Sequence, residues 1–104
     1  MSKVFGKEPS MNLYKMILEL KDLDECYRFF QDLCTVSELR AMEQRFDVAV
    51  LLQKGMIYNE ILEQTGASSA TISRVNRIFS FGTGAFQRMI NRYKRTRQGE
   101  QAGE

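Results

Sequence analysis

The residues best equipped for chemistry in this chain of 104 residues lie in one string, Tyr58-Asn-Glu-Ile-Leu-Glu-Gln-Thr-Gly66-Ala-Ser-Ser-Ala-Thr71-Ile-Ser-Arg74-Val75. Its second half offers the hydroxyls of Ser68, Ser69, Thr71 and Ser73 and the guanidinium of Arg74, with the small Ala67 and Ala70 among them, and Arg77 follows three residues after Arg74. A hydroxyl bonds to a phosphate or a base edge, and an arginine fork matches the two acceptors of a guanine. This is chemistry that binds. For chemistry that makes or breaks bonds the chain is poorly supplied. It has no histidine, so a histidine base or a triad built on one is excluded. There is no Gly-x-x-x-x-Gly-Lys loop to cradle phosphates and no obvious nucleophile–base pair. No catalytic residue is assigned, and the chain does not read as an enzyme. Cys26 and Cys34 fall on one helical segment, about 12 Å apart at roughly 1.5 Å per residue, too far to bridge. They read as buried free thiols of a reducing compartment. A zinc site would need both cysteines plus carboxylates, an unusual set, and no metal ligands are assigned.

The elements that hold the string are helical. Apolar residues recur at three and four, and β-branched alternation is scarce. Pro9-Ser10 marks a first helix whose stripe is Leu13, Met16, Ile17, Leu20 and Leu23. A second opens near Asp24 and carries Cys26, Phe29, Phe30, Leu33 and Cys34. Thr35-Val36-Ser37-Glu38 fits a capping box at the head of a third helix, and Gly55 suits a left-handed stop. In the functional string, Tyr58 to Thr65 forms a short helix with Ile61 and Leu62 inward, and Gly66 turns the chain. Ser68 or Ser69 caps a further helix with Ile72, Val75, Ile78 and Phe79 on its inner side. Gly82-Thr83-Gly84 ends it, and Ala85 to Tyr93 makes the last helix, with Phe86, Met89, Ile90 and Tyr93 as its stripe. The result is an all-α fold of about six helices containing a helix-turn-helix. Residues 1–9 and 95–104 are expected to be flexible ends around a domain of residues 10–94.

Charge singles out the same region. Residues 1–63 hold eight basic and eleven acidic side chains. From residue 64 to 99 there are seven basic side chains and no acid. Such a one-sided surface suits a polyanion. The tail from Arg92 to Arg97 either continues a phosphate-contacting surface or is a solvated helix end whose cations suit the dipole. No stretch is long and apolar enough for a membrane span, and the first residues lack the apolar run of a secretory signal, so the expected location is cytoplasmic, with no membrane partner. Between Phe46 and Leu52 six of seven residues are apolar. A helix apolar on all sides needs cover on more than one face, which a short helical monomer struggles to supply, and this argues for a homodimer.

On these residues the chain resembles the Trp repressor family, and within it the Trp-repressor-like proteins of the YerC/YecD type. The resemblance spans about residues 10–93. It is sharpest at Thr35-x-x-Glu38, Arg45, Leu51-Leu52-x-Lys54-Gly55 and Gly66-Ala67-x-x-Ala70-Thr71-Ile72-Ser73-Arg74. It implies six helices in an intertwined homodimer, with two recognition helices set for successive major grooves, the geometry for which the Trp repressor is itself a standard example. It also implies a small-molecule co-repressor held by two arginines and two threonines, here Arg45 and Arg74 with Thr35 and Thr71. Val75 stands where the Trp repressor has the glycine that leaves space for the indole ring, so the ligand expected here is not tryptophan and its identity is unknown. No other cofactor is implied. The segment between Gly55 and Gly66 is also one residue shorter than in the Trp repressor.

The function expected from these readings is a sequence-specific DNA-binding transcriptional repressor, acting as a dimer on double-stranded operator DNA. Its DNA contacts are expected from Ala67, Ser68, Ser69, Ala70, Thr71, Ser73, Arg74 and Arg77, and its ligand contacts from Thr35, Arg45, Thr71, Arg74 and Val75. The alternative is a helical protein–protein adaptor that keeps the helix-turn-helix without using it on DNA.

Overall fold

A computed structural model describes the backbone of residues 8–102 and the side chains of residues 8–96. Six helices account for the regular structure, with no strand among the described residues: α1 (Asn12–Ile17), α2 (Leu23–Leu33), α3 (Val36–Gln53), α4 (Tyr58–Thr65), α5 (Ser69–Phe81) and α6 (Ala85–Ala102). The all-α expectation holds. The chain divides into two compact units, Met1–Leu39 and Arg40–Glu104.

In the first unit the apolar stripe expected to run from Leu13 to Leu23 is broken. Turn bonds from Glu19 N–H to the Met16 carbonyl and from Leu20 N–H to the Ile17 carbonyl tighten the end of α1. Asp22 then starts α2, accepting the Glu25 N–H at 2.8 Å, while the Glu25 carboxylate accepts the Lys21 N–H at 2.9 Å. A strong local cap outcompetes a continuous stripe. The expected capping box is present at the head of α3: Thr35 Oγ1 accepts the Glu38 N–H at 3.1 Å and Glu38 returns the bond to the Thr35 N–H at 2.8 Å. Leu23 and Tyr27, one turn apart on α2, and Leu33 at its end are all exposed. Cys26 and Cys34 are free thiols, half-buried rather than fully buried as expected.

The second unit holds the core that supports the functional string. Val48 and Ala49 of α3, Ile61 of α4, Ala67 of the turn, Ile72 and Val75 of α5, and Ile90 of α6 pack into one cluster. Leu51, Leu52, Met56, Phe79 and Phe86 border it. Helix α5 is held in this cluster by two inner positions one turn apart, Ile72 and Val75, both 1% exposed or less. At the end of α3 the Met56 N–H reaches back to the Leu51 carbonyl and the Gly55 N–H to the Leu52 carbonyl. Gly55 has φ 83°, which completes the left-handed stop expected from sequence.

Some inward assignments shift. Leu62 is 41% exposed and Ile78 is 47% exposed, although both were expected inside. Each lies next to a core position but about 60–100° around its helix, and the short α4 and the single inner stripe of α5 cover only one side. The last helix does not stop at Tyr93 but continues to Ala102. The apolar stripe ends at Tyr93, but Lys, Arg and Gln are good helix formers and no proline intervenes. The expectation of flexible ends falls in part on residues 1–7 and 103–104, outside the described residues.

Candidate nucleic-acid interface

The corner between α4 and α5 is built by three adjacent residues. Thr65 ends α4 with its hydroxyl donating to the Ile61 carbonyl at 2.7 Å and accepting the Ala67 N–H at 3.1 Å. One hydroxyl thus ties the last turn of α4 to the connecting segment. Gly66 follows with φ 73° and ψ 5°, the left-handed conformation in which residues with a Cβ are strained. Its N–H closes onto the Leu62 carbonyl at 2.9 Å. Ala67 then drops its methyl into the core. From α3, Gln44 Nε2 donates to the Thr65 carbonyl at 3.2 Å and fastens the corner to the central helix. Thr65 and Gln44 were not singled out in the sequence, where a lone threonine before a glycine and a mid-helix glutamine carry little signal.

Ser68 is the N-cap of α5, its Oγ accepting the Thr71 N–H at 3.1 Å and donating to Thr71 Oγ1, also at 3.1 Å. Beyond this cap the outer face of α5 is open. Ala70, Ser73, Arg74 and Arg77 recur at the i, i+3, i+4, i+7 spacing of one helix face, and all four are exposed, as are Ser68 and Ser69. Thr71 is half-buried. Ala67 is the exception among the residues expected to meet DNA, because at 1% exposure its side chain belongs to the core. Its contribution is to seat α5.

The electrostatics of this face are simple. The first turn of α5 contains no acid, and the free N–H groups of a helix start favour an anion. Neither Arg74 nor Arg77 enters a salt bridge; among the described residues the salt bridges are Arg28–Asp24 and Arg40–Glu43, both on other helices. The guanidinium groups therefore remain available, and small side chains around them let the helix approach a groove about 12 Å wide.

Of the residues expected to hold a small ligand, Thr35 lies in the first unit, where both its hydroxyl and its N–H are spent on the α3 cap. Arg45 stands exposed on α3 without a salt bridge, and Arg74 stands exposed on α5. Thr71 is one turn before Arg74 on α5, and Val75 is 1% exposed within the core. A groove lies elsewhere in the same unit. Phe46, Val50 and Lys54 of α3 face Met89, Ile90, Tyr93 and Lys94 of α6 around a space of about 650 Å³. Its walls are mostly apolar, and Phe46 and Tyr93 remain 44% and 60% exposed. The Phe46 and Phe86 rings pack at 6.3 Å beside it.

The family described as Trp repressor protein matches residues 10–94 of this chain. The YerC protein of Bacillus subtilis (strain 168), itself uncharacterized, is 49% identical over 94 residues, covering 90% of this chain and 89% of that protein. Among solved structures, a TrpR-like protein from Eubacterium eligens ATCC 27750 superposes with a TM-score of 0.77 at 49% identity, covering 79% of this chain and 84% of that one. A provisionally named Trp repressor from Staphylococcus aureus gives the same TM-score, 0.77, at 43% identity, covering 79% of this chain and 82% of its own.

Proposed function

This chain belongs to the Trp repressor family, and from that premise we propose that it is a sequence-specific DNA-binding regulator, a transcriptional repressor that grips operator DNA as a homodimer through α5. The observation that carries the reading is the outer face of α5. Hydroxyls and arginines without a salt bridge share one exposed face of α5, a helix that carries no acid and is set by a hydrogen-bonded corner behind it. Base edges in a major groove are the partner that such a face fits.

The homodimer rests on uncovered apolar surface. The α3–α6 groove in one unit, and Leu23, Tyr27 and Leu33 of α2 in the other, leave more large apolar side chains in water than a lone soluble domain usually shows. A second copy of the chain is the cover that fits this reading. Regulation by a small acidic ligand other than tryptophan belongs to the same proposal, with Arg45 and Arg74 as its carboxylate contacts.

Selection of bound fragments from genomic DNA by the purified chain, with and without a metabolite panel, tests the reading. A recurrent two-fold-symmetric site is the expected outcome, with affinity falling steeply as salt rises. Absence of duplex binding at low salt, or capture of an acidic protein instead from nuclease-treated lysate, would refute it. Sedimentation of the free chain is expected to give twice the monomer mass, and Phe46→Glu to lower it.

A further inference from the structure

The acid-free third of the chain holds more cations than α5 presents, and α6 arranges three of them in a row. Arg88, Arg92 and Arg95 follow one another at i, i+4 and i+7, so they share one face of α6. All three are exposed and none enters a salt bridge with a described residue. We propose that this row is a second DNA-contacting surface, which lies along the phosphates of one strand and adds sequence-independent grip to the reading done by α5. It rests on the DNA-binding function proposed above.

Several observations support this. First, the row is fixed in direction. The apolar side of α6 is held by Ile90 in the core, by Phe86 against Phe46, by an Asn91–Gln53 hydrogen bond and by a bond from the Gln87 amide to the Phe79 carbonyl. With that side engaged, the arginine row is on the far side of the helix. Second, the spacing suits a strand of DNA. From Arg88 to Arg95 the helix advances about 10 Å, and four successive phosphates of one strand span a similar length, three steps of about 3.4 Å along the duplex axis, so the three arginines fall within reach of one run of phosphates. Third, small and polar side chains, Ala85 and Thr96, flank the row, and the large apolar residue one turn before Arg92, Met89, lines the α3–α6 groove, so the row itself suits phosphates better than the apolar centre of a protein interface. Fourth, like charges at i and i+4 oppose helix formation, and no carboxylate from residue 64 to 99 relieves them. Arg88 gives one bond to the Thr83 carbonyl at 3.3 Å, leaving most of its donors unused.

The test compares the full chain with the variant Arg88→Gln/Arg92→Gln/Arg95→Gln on a mixed-sequence duplex over a range of salt. Glutamine keeps the helix propensity and removes the charge. Each phosphate contact contributes about 0.9 to the slope of log K against log salt, so the slope is expected to fall by about 2.7 per bound chain. The companion Arg88→Lys/Arg92→Lys/Arg95→Lys keeps the charge and is expected to keep the slope, which separates lost phosphate contact from lost folding. A parent chain that binds duplex, with an unchanged slope in the glutamine variant, overturns this inference alone. An equal fall in the lysine variant also overturns it. A parent chain that binds no duplex overturns the DNA reading and this inference with it.

Discussion

Replacing Gly66 by alanine should weaken the fold by about 1 kcal/mol, and the reason lies in one dihedral angle. Gly66 has φ 73°, and a Cβ built on it meets no heavy atom within 4 Å. The added methyl is therefore not crowded by its surroundings. What it costs is the left-handed backbone itself, roughly 1–2 kcal/mol for a residue with a Cβ. Alanine also restricts the unfolded chain, which returns about 0.4–1 kcal/mol. The net loss, about 1 kcal/mol, would lower the melting temperature by roughly 4–8 °C in a domain of this size. Urea denaturation followed by circular dichroism measures it. Asparagine tolerates the left-handed region better than alanine, so Gly66→Asn should recover part of the loss although its side chain is larger. If Gly66→Ala were as stable as the parent, the corner would not hold a positive φ. If Asn were worse than Ala, crowding rather than backbone conformation would govern the site.

Three other outcomes follow from the same structure. Ile72→Ala removes a side chain with 0% exposure from the core under α5 and should cost about 2–5 kcal/mol in a denaturant titration, whereas Ile78→Ala, on the exposed flank, should cost far less. Thr35→Ala breaks the hydroxyl half of the α3 capping box and should cost about 1 kcal/mol, while Thr35→Ser should be nearly neutral. Arg74→Ala should leave the melting temperature within a degree or two, because its side chain is exposed and makes no salt bridge, yet lower affinity for a selected operator by about 1–3 kcal/mol in a fluorescence titration. Equal affinity of the two proteins would remove Arg74 from the reading surface.

Much of this architecture was legible in the sequence because its punctuation is chemical. Thr35-x-x-Glu38, Gly55, Gly66, Ser68 and the Gly82-Thr83-Gly84 break each mark a helix end by a mechanism that depends on few neighbours, and each stands where it was expected. Periodicity served less well where it had to stand in for burial. It put Leu62 and Ile78 inside, since a stripe drawn on a helix does not say how wide the covering surface is. It also ended the last helix with its apolar residues, although a helix of Lys, Arg and Gln can run on past its core contacts. The outer face of α5 was readable as a set of small and cationic side chains. The bonds that aim it, from Gln44 to Thr65 and from Thr65 to Ile61 and Ala67, were not, because they depend on which atoms the fold brings within reach.

The far end of α5 has a consequence for how such proteins diverge. At Gly82 the N–H closes on the Ile78 carbonyl at 2.7 Å, and a Cβ there would stand 2.5 Å from that same oxygen. The length of α5 is thus set at one end by a serine hydroxyl and at the other by a missing methyl group, and neither belongs to the face formed by Ala70, Ser73, Arg74 and Arg77. Frame and lettering are separate. Those four positions can be rewritten by mutation while the helix that displays them keeps its bounds and its seat, so under the proposed function one target could be exchanged for another without rebuilding the fold.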